Sequence, residues 1–454
     1  MKTKVLLIDT LSTLRVEKGF ISPAPAIAQM TGFLEQEGIP FEVVFAIPED
    51  DGQINILQNN KVVSDQFSTK LTCFSPDVVA FFTDAELIHL GFSVREAAGK
   101  VLPKAIFCIG SLAANALPDY FIERGFDYIC GQDLFASFCG LVKQIDAGLQ
   151  PEKGIVAIPD PSKDLDHFPL ISNKFFAEMT PQWAFASGHI EYFGIVMGAL
   201  GCTGGCTHCP NSSFWGTRWR AMSADRMVEE IAFQKKLLDV NTFYLGDINS
   251  NPNAGNSTHA DRVSAEASNR FRRLDALLTQ QSLNIRLFTT IRPDTLVFMA
   301  EQAPDVLDIF SRRIFNFFIG LESFSDRVLA GINKKLTRDI IRKAVKILDH
   351  RNIPMVASFM VGSPNETEET LKETEDFIMN ELPPSTLPLL NIMTPFPGTR
   401  HYDEMHKTGD LIEKDLSMYN AQHLVFKHPV FKEGEIQARI QQFYNRFFSE
   451  RFTG

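Results

Sequence analysis

Gly201-Cys202-Thr203-Gly204-Gly205-Cys206-Thr207-His208-Cys209-Pro210 is the stretch that decides how this chain reads. It follows directly on an apolar run that ends near residue 197 and has the look of a β-strand. Gaps of three and then two residues between the cysteines let one short loop curl its thiolates around a single inorganic centre. The glycines permit the backbone conformations such a curl needs. Three thiolates leave one iron of a cubane without a protein ligand, and that open iron is the chemically useful feature. Two plainer readings fit the same residues: a structural zinc knot with His208 as fourth ligand, and buried cysteines without metal. A structural zinc site usually pairs two separated ligand couples, and no second couple lies nearby.

Downstream of this loop, short apolar runs alternate with amphipathic stretches. Candidate strands are 192–197, 242–245, 285–289, 315–319, 355–361 and 389–393, with helices predicted over 225–238, 270–280, 339–351 and 368–379. Six βα units point to a complete or partial (β/α) barrel over residues 191–400, with its chemistry at the carboxyl ends of the strands. Residues 401–454 read as a helical tail rich in Phe and His. Upstream, residues 1–150 carry strand candidates at 4–8, 41–45, 77–82, 105–109 and 127–130. Ile27, Met30, Phe33 and Leu34 recur at helical spacing between Pro25 and Gly38, and a second helix is predicted over 86–100. This is the pattern of an α/β, doubly wound, Rossmann-like domain whose ligand lies at the strand ends. Residues 151–190, with Pro151, Pro159, Pro161, Pro169 and Pro181, read as an ordered connection.

Composition narrows the function further. A chain of 454 residues with 44% hydrophobic and 22% charged residues is expected to form two or three globular domains. A net charge of −11 argues against nucleic acid, because phosphate binding needs Lys and Arg to displace counterions. No apolar stretch approaches the roughly 18–20 residues of a membrane span. The opening MKTKVLLIDTLSTL is interrupted by Asp9 and lacks a small-residue cleavage site, so it reads as a first strand, and a cytoplasmic protein is expected. Seven cysteines, three of them within eight positions, suit a metal or cluster site better than a disulfide framework. The 39 phenylalanines against seven tyrosines predict very apolar interiors.

The C-x3-C-x2-C spacing after the first barrel strand resembles the signature of the radical S-adenosylmethionine (SAM) superfamily. The resemblance implies a [4Fe–4S] cluster on Cys202, Cys206 and Cys209, whose open iron is chelated by the amino and carboxylate groups of SAM. An electron from the cluster then cleaves SAM to methionine and a 5′-deoxyadenosyl radical. Later strand ends supply further matches. Gly246-Asp247 stands where the family often has a Gly-Gly-Glu element for the SAM amino group. Thr290 and Arg292 follow the third strand, where Arg292 would pair with the SAM carboxylate, the plainer reading being a surface salt bridge. Glu322-Ser323, followed by Leu329 and Ile332-Asn333-Lys334, resembles the "GxES…L…inK" element that reaches the SAM ribose or methionine end. Gly362 and Pro364 belong to a "GxPxET"-like element that borders the adenine, and residues 394–399 give a family-like ending to the sixth strand.

A doubly wound domain before such a barrel resembles the cobalamin-binding subclass of that superfamily, and this resemblance covers nearly the whole chain. It implies a corrin held by backbone and small residues at Thr10, Leu11, Thr83, Asp84, Gly110, Ser111, Gly131 and Gln132. No D-x-H-x-x-G histidine motif is present, so cobalamin would bind base-off, and His89 is read as a core or surface histidine. A nicotinamide cofactor is disfavoured because no G-x-G-x-x-G follows the first strand. The implied activity is C-methylation of an unactivated carbon in a small molecule or natural product. The partners would be that substrate and a reductase or a flavodoxin- or ferredoxin-type electron donor. Ring closure or rearrangement without net methyl transfer uses the same cofactors in some members of the subclass, including anaerobic porphyrin ring cyclases. The reading outside enzymology is a metal-stabilised binding protein without radical chemistry.

Overall fold

A computed structural model describes residues 2–11, 24–49, 51–83, 87–131, 133–156, 165–184, 189–247 and 258–452. Asp84 and Gln132 therefore lie outside the described residues. The first sheet holds eight strands: β1 (Val5–Thr10), β2 (Phe41–Pro48), β3 (Ile54–Gln58), β4 (Lys61–Val63), β5 (Val78–Phe81), β6 (Ile106–Ile109), β7 (Tyr128–Cys130) and β8 (Gly154–Val156). Their order is β4-β3-β2-β1-β5-β6-β7-β8. Strands β2, β1, β5, β6, β7 and β8 pair in parallel. The strand order reverses between β1 and β5, and such a switch point is where doubly wound folds take their ligands.

The expected first helix is present as Pro25–Gln36, with Pro25 at its start and Gly38 in a left-handed turn beyond its end. The second runs over Ile88–Val101. Sequence reading missed β3 and β4, an antiparallel hairpin added outside β2. Its signal is the Asn59-Asn60 turn, where both residues adopt positive φ (49° and 58°), as a two-residue hairpin loop of this kind requires.

The second sheet has seven strands: β9 (Gln182–Ala184), β10 (Ile190–Val196), β13 (Thr242–Leu245), β14 (Arg286–Ile291), β15 (Ile314–Glu322), β16 (Met355–Val361) and β17 (Leu387–Ile392), between which β11 (Ala199–Leu200) and β12 (Arg220–Ala221) make a separate ribbon. The order β17-β16-β15-β14-β13-β10-β9 contains all six expected barrel strands in sequence order. Strands β14 to β17 pair in parallel, while β9 joins β10 antiparallel. The fold is therefore α/β, with a doubly wound sheet followed by a (β/α)6 partial barrel. The tail is helical at its two ends, Arg400–Thr408 and Glu435–Phe452, with an irregular stretch between them.

By contacts the chain divides into two compact units, residues 1–197 with 229–244 and residues 198–228 with 245–454. Phenylalanine fills both interiors: Phe45, Phe81, Phe121, Phe126 and Phe138 in the first, Phe271, Phe310, Phe317, Phe359 and Phe377 in the second, all with under 2% of their surface exposed. Each such ring stabilises the fold by about 2–3 kcal/mol through the apolar area it removes from water. In the second unit the edge strand β17 is closed by the final described helix, whose Tyr444 hydroxyl accepts from Leu390 N–H at 2.8 Å. Arg451 of the same helix donates to the carbonyls of Ile378 and Met379, in the last turn of the Glu368–Asn380 helix, and to that of Leu382 just beyond it. Among the described residues no helix is long and apolar enough to cross a membrane.

Candidate cluster and cofactor site

The cysteine loop leaves β11 through Gly201, whose φ is +82° and where a Cβ would stand 2.0 Å from the Arg218 carbonyl oxygen, so only glycine fits. Cys202 N–H donates to Gly216 O (3.1 Å), and Gly204 N–H points at Cys202 Sγ (3.4 Å). Two sequence-distant segments tie the loop down. Thr207 N–H donates to Ile332 O (3.2 Å) and Asn333 Nδ2 donates to Gly205 O (2.8 Å). From the other side, His401 N–H donates to Thr207 O (3.0 Å), and the Thr207 hydroxyl meets His401 Nδ1 at 3.1 Å. All three thiols are free and half-buried. Burial pushes the Cys209 thiol up, and the neighbouring Cys206 and Cys202 push it further, which places the three within electrostatic reach of one another. Among the described residues no three His, Cys, Asp or Glu side chains close on the single point a lone metal ion would occupy.

A buried layer of paired charges lies against this loop. Arg292, 8% exposed, faces Asp294 through two 3.0 Å contacts, from Nε and Nη2, and Nη2 also donates to Lys334 O at 2.9 Å. Its remaining Nη1 stands 3.8 Å from Cys206 Sγ. Burial works against the guanidinium's charge, but Asp294 and the two nearest cysteines outweigh it and raise its pKa. Lys334 Nζ meets Glu322 Oε1 at 2.6 Å, with the two side chains only 9% and 14% exposed. Burial opposes both charges; each partner overrides it for the other, lowering the pKa of Glu322 and raising that of Lys334. Glu322 sits at a β-bulge with φ +64°, a left-handed backbone that non-glycine residues adopt at some strain. His208, half-buried beside this pair, is pushed down by desolvation to about 4 and is neutral at ordinary pH.

The other barrel residues singled out in the sequence fall into separate groups. Asp247, 1% exposed, directs its carboxylate at Arg270 (3.3 Å), which also donates to Gly198 O (2.9 Å), and Asp247 O accepts from the Thr290 hydroxyl (2.6 Å). Gly246 is the residue between β13 and Asp247. The Ser323 hydroxyl meets the Thr374 hydroxyl (3.2 Å) and accepts from Ser325 N–H (3.2 Å). Gly362 has φ +76°, and a Cβ there would meet Ile436 at 2.5 Å, while Pro364 lies in the loop that follows. The structure thus brings Arg292 and Glu322 to the cysteine loop, and engages Asp247 and Ser323 with protein partners.

Sequence reading missed Asp294, Arg270 and His401, and took Glu366 only as part of the GxPxET-like element. Asp294 had a local signal, an acid two residues after Arg292 in the first turn of the Pro293–Gln302 helix. Glu366 is 1% exposed and accepts from Gly362 N–H, and burial pushes its carboxyl up to about 8. The folded protein therefore holds a proton that the unfolded chain releases near its ordinary value of 4.5, so stability falls as pH rises from about 4.5 to 8. Glu366→Gln is expected to flatten that fall by a few kcal/mol, at about 1.4 kcal/mol per pKa unit, as read by denaturant unfolding across the same pH range.

In the first unit, Thr10 and Thr83 follow on adjacent strands: Ile8 of β1 pairs with Phe81 of β5, and each threonine lies two residues further on. Both are buried, and among the described residues neither Oγ1 has a hydrogen-bond partner. Leu11 N–H donates to Ala46 O (2.8 Å), Ser111 caps the following short helix by accepting from Ala114 N–H (3.1 Å), and Gly131 N–H donates to Val156 O (3.2 Å). Gly110 lacks a side chain because Leu134 and Phe82 take the space, 2.2 Å and 2.7 Å from where a Cβ would sit. His89 lies in the first turn of the Ile88–Val101 helix.

The Radical SAM superfamily profile matches residues 198–378. The chain is 24% identical to the anaerobic magnesium-protoporphyrin IX monomethyl ester cyclase of Rubrivivax gelatinosus, over 94% of this chain and 74% of that protein. It is 21% identical to an uncharacterized methyltransferase of Pyrococcus horikoshii, over 99% and 92%. Among solved structures, the cobalamin-dependent radical SAM enzyme OxsB with aqua-cobalamin bound superposes with a TM-score of 0.67 at 14% identity, over 99% of this chain and 67% of that one. The radical SAM methyltransferase TsrM from Kitasatospora setae, with cobalamin and a [4Fe–4S] cluster, gives 0.65 at 16% identity, over 90% and 78%. At these identities the structures establish shared architecture, and the profile assigns residues 198–378 to its superfamily. The cysteine loop on its barrel and the profile match agree: residues 198–378 form a radical SAM domain, and a doubly wound sheet precedes it in the chain.

Proposed function

We propose that the protein is a cobalamin-dependent radical SAM enzyme that methylates an unactivated carbon of a small molecule or natural product. One observation carries the reading: a single chain holds both the anchored Cys202, Cys206, Cys209 loop and a doubly wound sheet whose switch point is flanked by two unpartnered buried hydroxyls, Thr10 and Thr83. When bound, cluster and SAM supply a 5′-deoxyadenosyl radical, and cobalamin supplies a transferable methyl group.

The chain's own residues bind and position. Cys202, Cys206 and Cys209 are the cluster ligands, and their loop is fixed by Asn333, Ile332 and His401. Glu322, held by Lys334, offers a fixed acceptor for the SAM ribose or amino group. Asp247, Thr290, Ser323, Gly362 and Pro364 border the same ligand. Neutral His208 adds no charge beside the loop. Thr10, Leu11, Thr83, Gly110, Ser111 and Gly131 border a base-off corrin, the two threonine hydroxyls meeting its polar rim. A flavodoxin- or ferredoxin-type protein delivers the electron. Similarity to the Rubrivivax cyclase supports ring closure without net methyl transfer as the second reading, and a product heavier than substrate by one methyl group separates the two.

The test is anaerobic reconstitution with iron, sulfide, hydroxocobalamin and SAM. About four irons and one cobalt per chain, with 5′-deoxyadenosine released on reduction, are expected. Iron without cobalt would sink the methylcobalamin reading; no iron would sink the whole. The Thr10→Val/Thr83→Val variant is expected to lose cobalt severalfold on gel filtration. Its apo form should be unchanged or more stable by about 1 kcal/mol per site, since an unpaired buried hydroxyl is costly to keep.

A further inference from the structure

The guanidinium of Arg292 has its donors allotted. Nε and Nη2 face Asp294, Nη2 also reaches Lys334 O, and Nη1 is left facing Cys206 Sγ at 3.8 Å. The group is a rigid planar fork, so fixing two edges dictates where the third points. Gly204 leaves room for the approach: a Cβ there would lie 3.0 Å from Arg292 Nη1 and 3.4 Å from Cys202 Sγ.

We infer that Arg292 donates a hydrogen bond to the Cys206 sulfur and thereby raises the reduction potential of the centre held by the three cysteines, with Asp294 as its positioning residue. This rests on the reading of those cysteines as cluster ligands. An N–H aimed at a cluster sulfur stabilises the electron-rich, reduced state more than the oxidised one. Asp294 offsets much of the arginine's net charge, so the directed N–H is the larger contribution. Lys334 is likewise paired, with Glu322, and its carbonyl rather than its ammonium takes part in aiming the fork. The sequence-based expectation that Arg292 binds the SAM carboxylate gives a different result in the same experiment.

The full chain is reconstituted as wild type, Arg292→Lys, Arg292→Gln and Asp294→Asn. Iron content, SAM affinity and the cluster's midpoint potential, read by electron paramagnetic resonance in poised samples, are then compared. Arg292→Gln is expected to keep its iron and SAM affinity while its one-electron reduction equilibrium shifts roughly tenfold toward the oxidised state, a fall of ~59 mV. Arg292→Lys and Asp294→Asn should fall between it and wild type. An unchanged potential in iron-loaded Arg292→Gln overturns the inference, as does an unchanged potential with SAM affinity lowered tenfold or more. Should Arg292→Gln fail to load, Asp294→Asn decides, and a wild-type potential there overturns it. Absence of iron from wild type instead brings down the parent reading and this one with it, and is told apart because nothing is loaded.

Discussion

Replacing Cys202, Cys206 and Cys209 together by alanine is expected to remove about four irons per chain and to abolish 5′-deoxyadenosine formation, while leaving the protein folded and its cobalt content unchanged. The folded state should survive because the loop is fixed by contacts that use no thiol: Thr207 to Ile332 and His401, Asn333 to Gly205, and Cys202 N–H to Gly216. Metal analysis, absorption spectra and circular dichroism on both proteins check it. One zinc lost in place of iron would return the loop to a structural site using His208. Iron retained by the variant would move the cluster away from these cysteines altogether.

The second large effect belongs to the Glu322–Lys334 pair. Lys334→Met is expected to cost about 3–5 kcal/mol, because it strands a carboxylate that is only 14% exposed. Glu322→Gln/Lys334→Met should recover most of that loss, since removing both charges leaves no unpaired ion. In the single variant the carboxylate's pKa rises, so its deficit grows as pH climbs above the usual carboxylate range. Denaturant midpoints at constant m-value measure all three proteins. A loss below about 1 kcal/mol in Lys334→Met would mean that water reaches Glu322 freely, as for a surface ion pair.

Local patterns were legible in the sequence and long-range partners were not. The cysteine loop announces itself through spacing and glycines confined to ten residues, and each barrel strand through its own apolar run. Pro25 and Gly38 bracketed the first helix correctly because both act on the backbone beside them. The β3–β4 hairpin was equally local, with Asn59-Asn60 at positive φ between two short runs, and sequence reading missed it. His401 lies 194 residues from the Thr207 it contacts, and no pattern within either segment encodes that meeting. Asp247 and Arg270 are likewise 23 residues apart and meet only through the fold. Arg292 was picked out as a cation in the right place, but its direction depends on Asp294 and on a carbonyl 42 residues away, which only the folded chain brings to it.

The contacts from Asn333, Ile332 and His401 to the cysteine loop also separate the life of the cofactor from the life of the protein. In small zinc modules the metal is the core, so binding it is folding and stripping it is denaturation. Here the scaffold around the ligands stands on hydrogen bonds of its own. A centre destroyed by oxygen would leave behind an intact, refillable polypeptide, so that damage to the metal is a matter for repair and not for degradation.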